Sequence, residues 1–523
     1  MNIATLMQDR AVRQPEAIAI VDTHRGKERQ YSYQVLASDA ARTAALLQDK
    51  GIGKGDCVLV FQPMSYELYV ALLAIFRLGA VAMFLDPSAG RVHINQCCDI
   101  GAPKALIAST RAHLLWFVSA SLRRIPVKFV IGRFAPGATS MRQAAAYVPL
   151  ETIEMCEPED PALLTFTSGS TGLPKAALRS HAFLMAQHRV LDRALGLKTG
   201  EVDLTTLPVF LLANLASGLT SVIPQADLRF PGRIDPAPVV KQIDRNGVTR
   251  SAGSPAFYQR LTEFCEAEGR HLEGVRRIDT GGAPVFPGLL QRLQAIATEA
   301  QVVSVYGSTE AEPMSQISWG EMDDNDLKAM RSGKGLLAGP PVSAVNLRVL
   351  RDRFGTPIGP YACDELDAET LIVGEVGEIV VTGGHVLKDY LHGRGELETK
   401  FEVDGERWHR TGDAGYMDAD GRLWLVGRCT ARVEDEKGVL YPFSVECAAH
   451  FLEGVRRSAM VARKGRRTLL LECDKPMDLD ASIKQLAWAQ LDEVREVERI
   501  PVDKRHNAKV DYTRVYALLD KPA

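Results

Sequence analysis

The stretch TSGSTGLPK, from Thr167 to Lys175, combines residue types that suit the binding of a phosphate group. Hydroxyl groups and the backbone N–H groups of glycines can donate hydrogen bonds to an anion, and glycine leaves room for its close approach. Lys175 adds a mobile positive charge. A strand-like apolar run precedes the stretch and a helix-like run, HAFLMAQHRVL, follows it. A flexible linker seldom lies between two such elements, so we interpret the stretch as a phosphate-binding loop, but not as a Walker loop, whose G-K-[ST] ending is absent.

Three further motifs place hydroxyls, glycines and a carboxylate at the ends of predicted strands. They are TGGAPV (280–285), VYGSTEAEP (305–313) and WHRTGDAGYMDADGRLWLVGR (408–428). Each one alone is explained by a turn, a strand end or a hairpin. Their joint occurrence, in this order after the predicted phosphate loop, has no such simple explanation.

In combination these motifs resemble those of the adenylate-forming superfamily, which includes acyl-CoA synthetases, firefly luciferases and the adenylation domains of peptide synthetases. The resemblance covers essentially the whole chain. It implies an α/β fold, with a large N-terminal domain (1–428) of two doubly wound sheets and a small β-barrel-like subdomain, followed by a small mobile α+β lid domain (429–523). It also implies ATP and Mg²⁺ as cofactors and a small carboxylic acid as substrate.

The resemblance assigns a role to individual residues. It implies that the ATP phosphates are bound by Thr167, Ser168, Gly169, Ser170, Thr171, Gly172 and Lys175. It places adenine beside Gly281, Gly282 and Ala283 and stacks it on Tyr306, and it places the ribose on Asp413 with support from Arg428. Thr309 resembles the α-phosphate contact and Glu310 the Mg²⁺ ligand, a role that suits a carboxylate oxygen. Lys509 resembles the catalytic lysine of the last family motif, although Ala508 replaces the usual glycine and a solvated basic tail remains the alternative.

The chemistry that these residues imply is the activation of a carboxylate. A carboxylate is a poor acyl donor, and joining it to the α-phosphate of ATP makes a reactive mixed anhydride. Because two anions must approach each other, Lys175, Lys509 and Mg²⁺ would supply the opposing charge.

Three departures from the family pattern concern the acceptor of the activated acyl group. Thr430 stands where thioester-forming members have an acidic hinge residue, and Glu434 stands where they have a lysine. The histidine of their P-L-F-H motif is also missing from PVFL, residues 208–211. In the stretches GRCTARVEDEKGVLYPFSVE, YGSTEAEP and IPVDKRHNAKV the chain resembles the olefin β-lactone synthetases, in which the hydroxyl of an adenylated 3-hydroxy fatty acid displaces AMP. An acyl-CoA or acyl-carrier-protein ligase remains the alternative, and a non-catalytic nucleotide-binding homologue is a third reading.

The acyl pocket is less sharply indicated than the nucleotide site. The apolar run that contains Val209, Phe210 and Leu211 suits a pocket wall, with Gly253 and Ser254 nearby, but plain core packing explains the run equally well. His181 and His188 follow the phosphate loop and could assist hydroxyl deprotonation, although structural histidines on a helix face are favoured.

One basic stretch, RRSAMVARKGRR near the C-terminus, bears on protein partners. A solvated hairpin tip is the favoured interpretation. The alternative is a docking site for an acidic partner such as an acyl carrier protein or another pathway enzyme.

The elements that must position these residues alternate between helix and strand over the first 340 residues, a pattern typical of parallel, doubly wound sheets. SYQVLASDAARTAALLQDKG predicts a helix that ends at Gly51, and YELYVALLAIFRLGAVAMFL, with Arg77 inside it, predicts a helix and a buried strand instead of a membrane span. After about residue 340 the pattern changes to short strands and turns.

Composition excludes several classes of protein. At 523 residues, 46% hydrophobic and 24% charged, the chain has the make-up of a multidomain globular protein. A formal charge of −3 gives no overall reason to expect nucleic acid binding. Scattered cysteines and the lack of a secretory signal predict a cytoplasmic protein without a transmembrane segment.

Overall fold

The computed structural model describes residues 1–85, 90–168, 174–463, 465–475, 478–502 and 510–519, and only the backbone of Ser168. The chain divides into two compact units. The first, the N-terminal unit, contains Met1–Leu228, Pro238–Ala252 and Gly384–Glu396. The second, the C-terminal unit, contains Arg229–Ala237, Gly253–Gly383 and Leu397–Ala523.

The N-terminal unit is built from alternating helices and strands. Its helices are α1 (Ala4–Arg13), α2 (Tyr33–Asp49), α3 (Tyr66–Arg77), α4 (Arg91–Gly101), α5 (Ala120–Arg124), α6 (His181–Leu195), α7 (Pro208–Ser217) and α8 (Pro236–Asn246, which begins in a segment of the other unit). Its strands are β1 (Ile18–His24), β2 (Lys27–Ser32), β3 (Cys57–Phe61), β4 (Val81–Phe84), β5 (Ala105–Ser109), β6 (Val127–Ile131), β7 (Thr139–Ser140), β8 (Pro161–Ser168), β9 (Pro174–Ser180), β10 (Val202–Thr205), β11 (Thr220–Val222) and β12 (Arg250–Gly253).

Two parallel arrays organise these strands. One is a seven-stranded sheet in the order β7-β6-β5-β3-β4-β8-β9, parallel except for the antiparallel pair β8 and β9. The other is a run in the order β12-β10-β11-β1-β2, parallel except for β1 and β2. Crossovers through helices give the doubly wound arrangement that the alternating pattern predicted.

The predicted boundaries in this unit follow local chemistry. The side chain of Ser32 accepts a hydrogen bond from the backbone of Val35 and caps α2, and Gly51 adopts a φ of +81° just after that helix. The apolar run from residue 66 forms α3 and β4, as predicted. Buried Arg77 is satisfied there by the carbonyls of Leu150 and Glu151, at 2.8 and 2.7 Å. In the described part of the chain no helix is long and apolar enough to cross a membrane.

The C-terminal unit has a different, mostly antiparallel character. Its helices are α9 (Pro255–Ala267), α10 (Pro287–Ile296), α11 (Asp324–Arg331), α12 (Cys363–Glu369), α13 (Glu396–Thr399, which begins at the last residue of the other unit), α14 (Pro442–Ala449), α15 (Leu479–Gln485) and α16 (Tyr512–Leu519). Its strands are β13 (Arg277–Gly281), β14 (Gln301–Ser308), β15 (Ala311–Ser318), β16 (Leu336–Gly339), β17 (Asn346–Leu350), β18 (Gly377–Thr382), β19 (Lys400–Val403), β20 (Glu406–Met417), β21 (Leu423–Arg428), β22 (Val433–Asp435), β23 (Gly438–Leu440), β24 (Val455–Arg463), β25 (Arg466–Cys473) and β26 (Glu493–Glu496).

Four groups of strands build this unit, and one of them is the antiparallel pair of β22 and β23. β13, β14 and β15 are neighbours in one run, β16 to β21 form a six-stranded antiparallel sheet, and β24, β25 and β26 form a small sheet near the C-terminus. The six-stranded sheet is the β-rich subdomain predicted after residue 340. The mixed α/β fold class is therefore confirmed, whereas the domain boundary after Arg428 stays a prediction.

The segment after residue 428 has its own apolar core and also packs against the six-stranded sheet. Val445, Met460 and Leu469 belong to a cluster formed within this segment. Cys447 on α14, by contrast, lies in a cluster with Trp424 of β21. This tail also contains the predicted hairpin, β24 and β25, and the predicted helices on either side of it.

Candidate nucleotide and acyl site

The phosphate-loop lysine lies in the N-terminal unit at the start of β9. Lys175 is the register partner of Thr167, the last but one residue of β8, so the two strands bring both ends of the predicted loop together. Gly169, Ser170, Thr171 and Gly172 lie outside the described residues, and the side chain of Ser168 is likewise not described. The structure therefore places the two ends of the predicted loop, and the loop assignment itself stays a prediction.

The side chain of Lys175 is buried, and a segment far along the chain encloses it. Its Nζ atom lies 5.7 Å from the ring centroid of Tyr390, a cation–π distance. Tyr390 is held beside β9 by a backbone bridge to Ala177. Gly395 passes so close that a Cβ atom there would lie 2.4 Å from Cε of Lys175. Tyr390 and Gly395 thus restrict where the lysine can go, which the sequence motifs do not indicate.

In the C-terminal unit, three predicted nucleotide residues form one hydrogen-bonded group. The hydroxyl of Tyr306 on β14 donates to Oδ2 of Asp413 on β20 at 2.7 Å. Nε of Arg428 on β21 lies 3.1 Å from Oδ1 of the same carboxylate. Asp413 and Arg428 are cross-strand partners, so the antiparallel register fixes their pairing. The structure brings together the residues that the sequence assigned to adenine and ribose.

The electrostatics of this group keep its protonation states fixed. The Asp413 carboxylate raises the pKa of Arg428, which stays a cation. Burial, followed by the charge of Asp413, raises the pKa of Tyr306 well above its usual value. The Tyr306 hydroxyl is therefore a donor throughout the neutral pH range, and Asp413 keeps lone pairs with which it can accept ribose hydroxyls.

The glycines at the end of β13 are required by the backbone around them. A Cβ atom at Gly281 would lie 2.5 Å from the carbonyl oxygen of Val305, so no other residue fits there without movement. Gly282 has a φ of +81°, which favours glycine, and Ala283 follows it, half-buried. These constraints explain the two glycines, and the adenine position assigned to Gly281, Gly282 and Ala283 stays a prediction.

Thr309 and Glu310 occupy the turn between β14 and β15 and are half-buried. The backbone N–H of Glu310 donates to Oγ of Ser308 at 3.2 Å, which holds the turn. Within the described ranges no group of three or more His, Cys, Asp or Glu side chains is placed to hold a metal by itself. A single carboxylate fits Mg²⁺, because this ion keeps waters and takes further oxygens from phosphates.

A buried ion pair beneath Asp413 was missed by the motif analysis. Nη2 of Arg410 donates to Oε2 of Glu378 at 2.6 Å, and both side chains are almost fully buried. A further guanidinium nitrogen, Nε, donates to the same oxygen at 3.0 Å. Arg410 lies three residues before Asp413 on β20, so this pair helps to fix the strand that carries Asp413. The only available sequence signal was an acidic residue inside an otherwise apolar strand, GEIVVT.

The acyl-pocket residues fall into two groups. Val209 is half-buried and lines an apolar cavity of about 50 Å³ among helices α1, α3, α6 and α7. Phe210 and Leu211 are buried on α7 and are not among the residues that line it. Gly253 ends β12, and the hydroxyl of Ser254 caps α9 by accepting from the backbone N–H of Phe257 at 3.4 Å. The pocket assignment of all five residues stays a prediction.

The two histidines after the phosphate loop differ in their surroundings. His181 is fully buried, and its Nδ1 accepts the backbone N–H of Ile3 at 3.2 Å, while burial lowers its pKa to about 4. These contacts support the structural interpretation. His188 lines the apolar cavity beside Gln187, and burial lowers its pKa as well.

Comparison with known proteins identifies the family. A family model described as AMP-binding enzyme matches residues 7–391. The chain therefore belongs to the AMP-binding, adenylate-forming enzymes, which are ATP-dependent acid-activating ligases and synthetases.

Among curated relatives, the chain is similar to the olefin beta-lactone synthetase of Stenotrophomonas maltophilia, with 33% identity over 97% of this chain and 96% of the relative. It is 32% identical to the olefin beta-lactone synthetase of Xanthomonas campestris pv. campestris over the same shares. Among solved structures, the anthranilate CoA ligase AuaEII in complex with anthranoyl-AMP has a TM-score of 0.82 at 17% identity, covering 99% of this chain and 97% of the other. At that identity the likeness concerns the fold alone.

Proposed function

We propose that the protein adenylates a long-chain 3-hydroxy carboxylic acid and then closes it to a β-lactone, with release of AMP and pyrophosphate. The observation that carries this proposal is the 33% identity to an olefin beta-lactone synthetase over nearly the whole of both chains. The group formed by Tyr306, Asp413 and Arg428 supports its first half, because it provides hydrogen-bond partners for a nucleoside.

In the first half-reaction, a carboxylate oxygen of the acid attacks the α-phosphorus of ATP and pyrophosphate leaves. Lys175, held by Tyr390 and Gly395, would face the phosphates, and Lys509, outside the described residues, would bridge the carboxylate and the α-phosphate. Glu310 would hold Mg²⁺, which would neutralise phosphate charge. Asp413 would fix the ribose, with Thr309 at the α-phosphate.

In the second half-reaction, the 3-hydroxyl oxygen attacks the acyl carbonyl carbon, its proton is lost, and AMP leaves with the bonding electrons. Intramolecular attack needs only a folded substrate and the exclusion of water. Two side chains support this acceptor over CoA. Thr430 is exposed and stands in place of the acidic hinge residue of thioester-forming enzymes. Glu434 is exposed, is paired with Arg432 at 2.8 Å and stands in place of their lysine.

The domain organisation belongs to the same proposal. We infer that residues 429–523 act as a lid domain, supported by the apolar core that this segment forms within itself.

A carrier-protein partner has weaker support than the sequence suggested. Within the basic hairpin, Arg467 is buried and pairs with Asp435 at 2.7 Å, and Arg457 pairs with Glu472 at 3.0 Å. These two charges stabilise the C-terminal segment itself, which reduces the charge available to an acidic partner.

The test is a product analysis by mass spectrometry. The protein is mixed with ATP, Mg²⁺ and either a 3-hydroxy fatty acid or the matching acid without the hydroxyl, with and without CoA. We expect AMP and a product lighter than the 3-hydroxy acid by one water, independent of CoA. A thioester that forms only with CoA would instead identify a ligase. The Lys509→Ala variant should lose pyrophosphate release while still binding ATP, which separates catalysis from binding.

A further inference from the structure

The segment 90–150 is strongly basic in a chain that is slightly acidic overall. It contains eight lysines and arginines but a single acidic residue, Asp99, so its formal charge is +7 in a protein whose total is −3. The basic residues are Arg91, Lys104, Arg111, Arg123, Arg124, Lys128, Arg133 and Arg142. A local excess of this size creates a positive surface that the total charge conceals.

The same segment exposes bulky apolar side chains. Phe117 is 81% exposed and Leu114 is 62% exposed, and both lie on the 3₁₀ helix Ala112–Phe117. Because this type of helix has three residues per turn, Arg111, Leu114 and Phe117 lie on one face. Val92 and Val118, also exposed, line a shallow cleft together with Phe117, Arg91 and Arg123. The cleft also contains Asp99, whose carboxylate is paired with Arg124 at 3.2 Å. Apolar and cationic side chains therefore alternate on one surface.

Internal contacts hold this surface in place. Nη1 of Arg123 donates to the carbonyl of Trp116 at 2.6 Å, at the end of the 3₁₀ helix. Nζ of Lys128 lies 5.2 Å from the ring centroid of Trp116. The indole is thus covered by a cation, whereas its neighbour Phe117 stays in solvent.

The topology places this surface at the edge of the sheet where ligands bind in α/β folds. Helix α4 comes soon after β4, the 3₁₀ helix follows β5, and Arg133 and Phe134 follow β6. These strands are parallel to one another and to β8, which leads into the predicted phosphate loop. In the order β5-β3-β4-β8, three strand spacings, about 15 Å, separate β5 from β8.

We propose that this basic apolar edge, formed by Arg91, Val92, Arg111, Leu114, Phe117, Val118 and Arg123, binds an anionic lipid bilayer. Binding at a lipid interface requires projecting apolar side chains that enter the acyl boundary and nearby cations that attract the headgroups. A protein interface instead has a contiguous buried centre that is more apolar than the surrounding surface. The alternation of arginine with single apolar side chains fits the bilayer.

This inference goes beyond the proposed function and does not require it. An amphiphilic acid with a long apolar chain partitions into bilayers, so a bilayer-bound enzyme would meet it at the sheet edge that leads to the phosphate loop.

The experiment measures binding of the full chain to vesicles by co-sedimentation. Vesicles of phosphatidylglycerol mixed with phosphatidylcholine are compared with vesicles of phosphatidylcholine alone, at low and high salt. We expect binding to the anionic vesicles only, weakened by salt because the headgroup attraction is screened. Each arginine near such a surface contributes a factor of about five, so Arg111→Gln should weaken binding to that extent.

A double variant, Leu114→Ser with Phe117→Ser, removes the two exposed apolar side chains without disturbing a core. It should lower vesicle binding more than about tenfold, because the two side chains that would enter the hydrocarbon region of the bilayer are lost. The matched control, Val12→Ser with Ile372→Ser, removes two side chains of similar exposure, 72% and 73%, and should bind as the unmodified protein does.

Equal binding by both double variants, or no binding of the unmodified protein to anionic vesicles, would overturn the proposal. Selective capture of an acidic acyl carrier protein through Phe117, without vesicle binding, would assign the surface to a protein instead.

Discussion

At the scale of single residues, Gly395 is the sharpest test of how Lys175 is held. Gly395→Ala would place a methyl group 2.4 Å from Cε of the lysine, and the lysine must then move. Because Lys175 is assigned to the ATP phosphates, we expect the rate of pyrophosphate release to fall by at least tenfold.

The control is Gly405→Ala. Gly405 has almost the same left-handed backbone, with φ +80° against +83°, but a Cβ atom there would meet nothing within 4 Å. Both variants should lose about 1 kcal/mol of stability from backbone strain. Equal activity losses in the two variants would show that the contact with Lys175 has no role in catalysis.

Tyr306→Phe isolates the hydroxyl that donates to Asp413. A hydrogen bond to a charged group contributes roughly 1.5–3 kcal/mol, so KM for ATP should rise by about tenfold or more, with a smaller effect on kcat. The ring that would stack on adenine is retained. Tyr416→Phe, which removes a hydroxyl bound to the carbonyl of Lys334, serves as the control. An unchanged KM in Tyr306→Phe would mean that the hydroxyl does not orient the ribose carboxylate.

At the scale of elements, the buried pair of Glu378 and Arg410 joins β18 and β20. Burial raises the pKa of Glu378, and Arg410 opposes that shift. Glu378→Gln would leave the Arg410 cation buried without its counter-charge. We expect a loss of about 3–5 kcal/mol in the free energy of unfolding, measured by urea denaturation.

A surface pair in the same sheet provides the comparison. Arg407 and Glu402 are cross-strand partners 3.0 Å apart, but Glu402 is half-exposed. Because solvent screens such pairs, Glu402→Gln should change stability by less than about 1 kcal/mol. If Glu378→Gln also lowered the free energy of unfolding by less than about 1 kcal/mol, the pair of Glu378 and Arg410 would not be needed to hold β20 in position.

The elements also show what the sequence could and could not predict. The α3–β4 run, the helix capped by Ser32 and the C-terminal hairpin follow from local periodicity and capping, which act over a few residues. The contact of Gly395 with Lys175 joins positions far apart in the chain, and no local pattern encodes it. Glu378 and Arg467 are buried charges in strands, where alternation normally places charged residues in solvent, so their pairing became evident only in the folded structure.

At the scale of the whole molecule, one buried carboxyl group in the C-terminal segment should make a contribution to stability that changes with pH. Glu446 on α14 accepts hydrogen bonds from the backbone N–H of Met460, at 2.9 Å, and from the hydroxyl of Tyr512. Burial raises its pKa from 4.5 to about 7, against the opposing effect of both hydrogen bonds. The folded state therefore holds a proton that the unfolded state has already released.

The sign of the effect follows from this difference. Between pH 4.5 and about 7 the folded state binds more protons than the unfolded state, so this group's contribution is fully present below pH 4.5 and is lost as pH rises through about 7. The loss is on the order of 3 kcal/mol. Glu446→Gln keeps the shape and cannot ionise. We expect the stability of the variant relative to the unmodified protein, measured by thermal unfolding with tryptophan fluorescence, to increase as pH rises from 4.5 to about 7. Parallel pH profiles would mean that Glu446 ionises normally, and that the contacts of α14 with β24 and α16 do not exclude water from it.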